Sequence, residues 1–550
     1  MPGHVFENLI IVGSDVNEGY EDPPGYLRAY DVITGKNVWT FRTVPHPGEF
    51  GYDTWPPDAW KYTGGTNTWS SFSIDEERGI GYFPLGSATY DMYGARRKGA
   101  NLFANSLVAL DLRTGKRLWH YQLIHHDLWD YDLCNEPKLL TVNHNGKKVD
   151  IVATGTKSGL LFVFNRVTGE PLWPIEERPV PKSDVPGEES YPTQPFPTKP
   201  PPYSRQLLTV NDLNPYVDAA EAERLRKIFQ AARHEGVYTP PTHDRDQIQL
   251  PGEYGGTNWA GSAGDPQTGM MYVRAENIAT IHRLFERGRQ RGVGGGTPEQ
   301  QGRGLWAQMC ESCHGVDETG VKSLKERLPA ALRTIIRGGI GLMPGVGFSD
   351  LAISEQNLTR LLAYIANPAA GAGQPPAAAG RGGRGGPDPS APLPNGETRR
   401  FFGQFGSMWM ANNGLPAIAP PWSELVAYDL NQGTIKWRIP LGTVPGLAAK
   451  GIKNTGTFRP TRNGPVVTAG GLIFMGTEAD RTIRAYDKDN GKTLWEREME
   501  SNPQSIPAVY EVGGRQYVAF FLTSNRATDN MAYRRGKPEA QGYYVFALPK

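Results

Sequence analysis

Residues 306–320 of the 550-residue chain read WAQMCESCHGVDETG, and within them Cys310, Cys313 and His314 form the spacing C-x-x-C-H. That pattern attaches a c-type haem: two thiols bond the porphyrin edge and the adjacent histidine sits beneath the iron. A zinc or redox C-x-x-C is the alternative, but no second ligand pair stands downstream. Further along, the chain reads IIRGGIGLMPGVGFSDLAISEQNLTRLLAYIAN, with Met343 in a Met-Pro loop ahead of a final helical stretch. A thioether as second axial ligand raises the reduction potential and suits electron transfer. These residues could therefore do one-electron chemistry, and the rest of the chain must supply the electrons.

The elements around them are of another kind. One pattern recurs five times, in AYDVITGKNVW, ALDLRTGKRLW, VFNRVTGEPLW, AYDLNQGTIKW and AYDKDNGKTLW. An Asp or Asn stands four residues before a Gly and eight before a Trp, as in Asp31/Gly35/Trp39 and Asp111/Gly115/Trp119. Each copy reads as a strand, a turn that needs Gly where φ is positive, and a second strand whose Trp docks on a neighbour. Such a unit is too small to bury its own faces, so copies must stack, and four-stranded units arranged radially make a β-propeller. Segments such as TNTWSSFSIDEERGIGYFPLG and NGPVVTAGGLIFMGTEAD supply the outstanding strand pairs. The count is about four whole blades, a first blade lacking its opening strand and a last blade lacking its closing one.

The pattern breaks between MMYVRAEN and LVAYDL. This divides the chain into a propeller part over 1–295, a helical insertion over 296–367, a Gly/Pro/Ala-rich linker over 368–396 and a second propeller part over 397–550. An insertion between two strands of one blade is tolerable because the strand ends lie close together. A Pro-rich loop, Pro179 to Tyr203, precedes a short amphipathic helix with Leu225, Ile228 and Phe229 on one packing face. The formal net charge of +1, from 58 basic and 57 acidic residues, gives no reason to expect nucleic acid or a membrane surface as partner. No run approaches a transmembrane span, and three cysteines make no disulfide framework.

Two polar segments remain, HHDLWDYD at His125 to Asp132 and GTKSG around Lys157. Read singly, Asp130 is a turn aspartate, Lys157 a solvated lysine and Trp69, in TNTWSSFSID, a core residue. Together they resemble the active-site segments of the pyrroloquinoline quinone (PQQ) dependent dehydrogenases, closest to the membrane glucose dehydrogenase branch. PTQPF at 192, EGVYTPP at 235 and YEVGGRQYV at 510 stand in the same order. The insertion as a whole resembles class I cytochromes c. The resemblance implies an all-β protein, a propeller of the eight-bladed quinoprotein type, incomplete in this chain, with an inserted α-helical cytochrome c domain.

It also implies roles. Asp130 matches the carboxylate that takes the proton of a substrate hydroxyl while hydride passes to the quinone. Lys157 matches the basic residue that contacts the quinone oxygens, and Trp69 the aromatic floor under the planar ring. A divalent ion, Ca²⁺ or Mg²⁺, needs oxygen ligands; Asp91 in GSATYDMYG and Asp15 or Asn17 in GSDVNEGY match by position. Asp132 does not separate a calcium from a lanthanide site, because the glucose branch is acidic there too. Cys134 stands alone, so the adjacent-cysteine disulfide of the alcohol dehydrogenase branch is absent, and His125 and His126 read as supports for the Asp130 loop.

The activity implied is a quinohaemoprotein dehydrogenase: PQQ oxidises a sugar, polyol or alcohol hydroxyl, and electrons pass to the internal haem c and on to an external acceptor such as a cytochrome or quinone pool. Attachment of haem outside the bacterial cytoplasm implies a periplasmic protein. The N-terminus MPGHVFENLIIVG carries no signal peptide pattern, so a lost N-terminal segment with further blades is expected. The alternatives are a truncated or degenerate inactive protein, and a non-catalytic propeller scaffold similar to outer-membrane assembly lipoproteins.

Overall fold

The five turns fold as their local chemistry dictates. Asp31 Oδ1 accepts the N–H groups of Ile33 and Thr34 and the Thr34 hydroxyl, and Asp111 does the same for Arg113 and Thr114. A short acceptor side chain that captures the next N–H groups turns the backbone without help from distant residues. The glycines four residues on, Gly35, Gly115, Gly169, Gly433 and Gly491, all lie at φ between +67° and +77°, where a Cβ would strain the chain.

In the computed structural model of the protein, residues 3–286, 297–309, 355–371, 397, 399–403, 408–458, 463–523 and 540–547 are described. Cys310, Cys313, His314 and Met343 lie outside them, as does most of the linker. Among the described residues six antiparallel sheets of three or four strands succeed one another as blades. The first comprises His4–Phe6, Leu9–Val12, Leu27–Asp31 and Asn37–Phe41; the second Ser73–Asp75, Ile80–Pro84, Ser106–Asp111 and Arg117–Gln122; the third Lys138–His144, Lys147–Gly155 and Leu161–Asn165. The fourth comprises Ser262–Asp265, Met270–Glu276, Ser423–Asp429 and Thr434–Pro440, and the fifth Val466–Val467, Leu472–Thr477, Thr482–Asp487 and Thr493–Glu498. The sixth is formed by Asn502–Pro503, Ala508–Val512, Arg515–Thr523 and Gly542–Ala547. The first blade thus has the opening strand that the sequence pattern withheld from it: three residues, His4–Phe6, pair with Leu9–Ile11, too short a run to register as alternation.

Apolar clusters lie between successive sheets, so the blades stack face to face. Phe6, Leu9 and Leu27 of the first blade meet Phe83, Val108 and Leu110 of the second, and Met270, Tyr272 and Leu425 of the fourth meet Ile473 and Met475 of the fifth. The repeat tryptophans pin each interface. Trp39 covers Gly115 of the next turn, Trp119 covers Gly169, Trp173 covers Gly433 and Trp437 covers Gly491. Trp39 donates its indole N–H to the Leu112 carbonyl at 2.8 Å, and Trp119 to that of Arg166 at 3.0 Å. At Gly35 nothing lies within 4 Å of where a Cβ would sit.

That difference gives a paired test. Gly35→Ala and Gly115→Ala share φ +69°, so each carries the left-handed cost of about 1–2 kcal/mol. At Gly115 the added methyl meets Trp39 at 2.7 Å, which should add about 1–3 kcal/mol of overpacking. Urea midpoints at equal slope measure the difference; equal losses would mean that Trp docking contributes nothing to holding the blades.

The fourth blade is split by the insertion yet pairs directly across it, from Met270↔Asp429 to Glu276↔Ser423. Before that return the chain forms a two-stranded ribbon, Gln247–Gln249 with Thr280–His282, and a short pair, Phe285–Glu286 with Phe401–Phe402. Helix α1, Ala219–Ala231, is capped by Asp218 on the Glu221 N–H and buries Leu225, while Phe229 stacks on Trp409 at 6.4 Å, the packing role its sequence indicates. Helices α2, Pro298–Met309, and α3, Glu355–Ala366, lie against each other within the insertion, with Trp306 and Tyr364 rings 5.9 Å apart. Gly302 meets the Arg360 carbonyl, a crossing close enough to exclude any side chain.

Candidate active site

Four connections between strands converge. Asp130 and Asp132 come from the link between the second and third blades, Lys157 from the hairpin turn between Lys147–Gly155 and Leu161–Asn165, Trp69 from the link between the first and second blades, and Glu18 from the loop between Leu9–Val12 and Leu27–Asp31. The Lys157 ammonium donates to Asp130 Oδ1 at 3.0 Å and to Asp132 Oδ2 at 3.1 Å. Its stem is pressed by Gly255, whose φ is +84° and where a Cβ would lie 2.5 Å from Lys157 Cγ. The Trp69 indole N–H reaches Asp132 Oδ2 at 3.2 Å, and the Ser87 N–H reaches Asp132 Oδ1 at 2.6 Å.

The electrostatics divide the two aspartates. Burial pushes Asp130 well above the ordinary carboxylate range, with Lys157 opposing and Asp132 adding. Burial acts on Asp132 in the same sense, but Lys157 and the Ser87 N–H outweigh it and leave that carboxyl below its ordinary value. Lys157 loses by burial and gains more from its two aspartates, so it stays charged. Asp130 Oδ2 is buried and has no hydrogen-bond partner. One oxygen of Asp130 is thus fixed by the lysine and the other is free, on a carboxyl that holds a proton readily.

Glu18 completes a group of three. One carboxylate oxygen each from Glu18, Asp130 and Asp132 lies within 4.8 Å of the others. Glu18 keeps contact with solvent, yet its carboxyl is pushed up to about 7 by desolvation at the cleft and by Asp132; with water at hand, the repulsion is the firmer cause. Three hard oxygen donors around one lysine suit a Ca²⁺ or Mg²⁺ ion. Asp15 and Asn17, on the same loop, are exposed and outside this group. Asp91 is buried close by, its carboxyl pushed well up by burial and by Glu18, Asp132 and Asp127.

Other site residues were missed or only partly read from sequence. Glu253 and His282, both fully buried, pair at 2.5 Å, and the Glu253 charge is felt at Glu18. Nothing local marks them. His126 pairs with Glu188 at 2.8 Å with neither exposed, and His125 bonds through its N–H to Gln194 Oε1 at 2.8 Å, so both hold the loop that carries Asp130. Cys134 is a buried free thiol, pushed up by burial and thereby unreactive.

A proton held on Glu18 or Asp130 in the folded chain has a pH signature. Both pKa values are raised, so the ion-free chain should lose stability as pH rises from the ordinary carboxylate range through about 7, where Glu18 ionises. Ca²⁺ should then raise Tm more at pH 8 than at pH 5, read from thermal melts with Ca²⁺ and with chelator. Equal shifts at both pH values would move the ion away from this group.

Comparison with known proteins adds independent findings. The family model described as glucose/ethanol/alcohol dehydrogenase, β-propeller domain, under the heading PQQ, matches residues 1–326 and 352–518. A second, cytochrome c oxidase cbb3-type subunit III, matches residues 297–365. The quinate/shikimate dehydrogenase (quinone) of Acinetobacter baylyi is 29% identical over 520 residues, covering 92% of this chain and 53% of that protein. The glycerol dehydrogenase large subunit of Gluconobacter thailandicus is 28% identical, covering 100% and 63%. The quinoprotein glucose dehydrogenase of Escherichia coli is 27% identical, covering 94% and 54%. The chain therefore spans little more than half the length of these relatives. In fold it is similar to the quinohemoprotein alcohol dehydrogenase of Comamonas testosteroni, with TM-score 0.55 at 21% identity over 99% of this chain and 59% of that one.

Proposed function

Because this chain belongs to the PQQ-dependent glucose/ethanol/alcohol dehydrogenase β-propeller family, we propose that it oxidises a sugar or polyol hydroxyl and passes the electrons to a haem c of its own. The observation that carries this is the buried Asp130 carboxyl, fixed through Oδ1 by Lys157 and unpaired at Oδ2. PQQ, haem c and a divalent ion are the cofactors of this kind of protein.

The chain's residues fit them. Trp69 is half-buried and its indole stacks on no other ring among the described residues, which leaves a flat face for a planar ligand. Glu18, Asp130 and Asp132 are the donors for the divalent ion. Cys310 and Cys313 would bond the haem, with His314 and Met343 on its iron; α2 packs on α3 as a helical module needs. When bound, PQQ accepts the hydride of the carbinol carbon and the haem takes electrons singly.

The work left to the chain is proton and charge control. Asp130 accepts the substrate hydroxyl proton at Oδ2, the oxygen that Lys157 leaves unpaired. Lys157 offsets one of the two aspartate charges before the proton arrives and leaves a neutral pair with Asp132 after it. Asp132, below its ordinary pKa, stays ionised as the lysine's second partner. The relatives whose names specify glucose, glycerol and quinate favour a polyhydroxylated substrate over a simple alcohol, and a c-type haem favours a periplasmic site of work with an external acceptor. Protein reconstituted with PQQ and Ca²⁺ tests the reading: haem absorbance should change on adding an aldose or polyol, with ethanol a poorer reductant. A normal haem spectrum that no alcohol or sugar alters would overturn it.

A further inference from the structure

Asp130 lies at φ +54°, in the left-handed region that L-residues occupy only where their surroundings over-determine it. Those surroundings are three buried side chains. Asp127 accepts the Trp129 N–H at Oδ1, 2.9 Å, and the Tyr131 N–H at Oδ2, 2.8 Å. Gln249, from the two-stranded ribbon, donates to the Trp129 carbonyl at 2.9 Å. Asn105 donates to the Tyr131 carbonyl at 3.1 Å and to Asp127 Oδ2 at 3.0 Å. Amide and carbonyl of both residues that flank Asp130 are therefore held.

The holders are themselves held. The Ser87 hydroxyl donates to Asp127 Oδ2, and the buried Arg97 guanidinium donates to the Asp127 carbonyl at 2.5 Å. The flanking side chains are anchored too, Trp129 by its indole N–H on the Thr239 carbonyl at 2.6 Å and Tyr131 by its hydroxyl on the Pro251 carbonyl at 2.6 Å.

We propose that Asp127 and Gln249 are positioning residues for proton abstraction: they hold the backbone on both sides of Asp130 so that Oδ2 stays free while Oδ1 is kept by Lys157. This rests on the proton-accepting role given to Asp130 above. Asp127→Asn turns an N–H₂ group towards an N–H, and Gln249→Leu removes one donor at similar volume. On the reconstituted holoprotein, kcat for haem reduction should fall about 100-fold in the first and about tenfold in the second, because small misplacements of a reacting group are costly. KM should stay within about threefold, since neither side chain is placed on substrate. Amide hydrogen exchange of the peptide covering 128–132 should rise in both, without substrate present, with the haem spectrum unchanged and the thermal midpoint lowered by a few degrees. In an Asp130→Asn background neither substitution should lower kcat further.

Unchanged kcat alongside faster exchange would overturn the proposal, as would a loss carried in full into the Asp130→Asn background. Should Asp127→Asn fail to fold, Gln249→Leu decides alone. If Asp130→Asn by itself retains wild-type kcat, the proton-accepting reading falls, and the exchange measurement still reports whether the clamp exists.

Discussion

Asp130→Asn is expected to lower substrate-driven haem reduction about 10³-fold, within the range a general base contributes, without destabilising the fold at pH 8. The second half of that statement comes from the site's electrostatics. Burial raises the Asp130 pKa, so its ionised form is held at a cost that grows as pH rises from the ordinary aspartate range through the raised folded value. Asparagine removes that cost, and Lys157 keeps Asp132 as partner at 3.1 Å. The measurements are stopped-flow haem absorbance and thermal melts at pH 5 and pH 8. A variant that is inactive and less stable at pH 8 would make Asp130 a structural anchor; one that is fully active would remove it from catalysis.

Lys157→Met is expected to have the larger effect on stability. It leaves Asp130 and Asp132, with side chains 2% and 6% exposed, as buried like charges without a cation, and breaking such a pair costs about 3–5 kcal/mol. The loss has a direction in pH. With the ammonium gone both carboxyls are raised, so the variant is penalised least in acid, where they are protonated in folded and unfolded states alike, and most above neutrality. Urea unfolding of wild type and variant should diverge from pH 4 to pH 8, with added Ca²⁺ closing part of the gap. Haem reduction should fall about 10²–10³-fold. A stability gap that narrows as pH rises would contradict the charge assignment of the triad.

How much of this was legible in the sequence depended on how local each interaction is. The Asp31 and Asp111 turns and their glycines are read directly, because side chain and backbone four residues apart settle the conformation. The opening strand His4–Phe6 was not, since three residues carry no periodicity. At the site, HHDLWDYD and GTKSG located Asp130 and Lys157 through a family resemblance, and the structure brings them within 3.0 Å of each other. In GSDVNEGY the resemblance pointed to Asp15 and Asn17, and Glu18 of the same loop has a carboxylate oxygen within 4.8 Å of Asp130 and Asp132. The loop's orientation is set from its far side, where Tyr20 stacks on Tyr90 at 4.8 Å, a contact 70 positions away that no local pattern announces. Asp127 offered a partial signal, an acceptor two residues before the Trp129 N–H it captures. Gln249 offered none, since it reaches Trp129 from another part of the chain.

The short pair Phe285–Glu286 with Phe401–Phe402 makes the helical insertion a passenger held at two ends. Only 287–297 separate the first of these strands from the helical module, and eleven residues reach at most about 40 Å. A haem bonded at Cys310 and Cys313 would stay tethered to one edge of the propeller, at a local concentration in about the millimolar range. Dilution cannot lower it, and one proteolytic cut cannot release it. Electron delivery would then be unimolecular, with the same rate constant at nanomolar as at micromolar protein, and competing acceptors in solution would have to outbid a partner that never leaves.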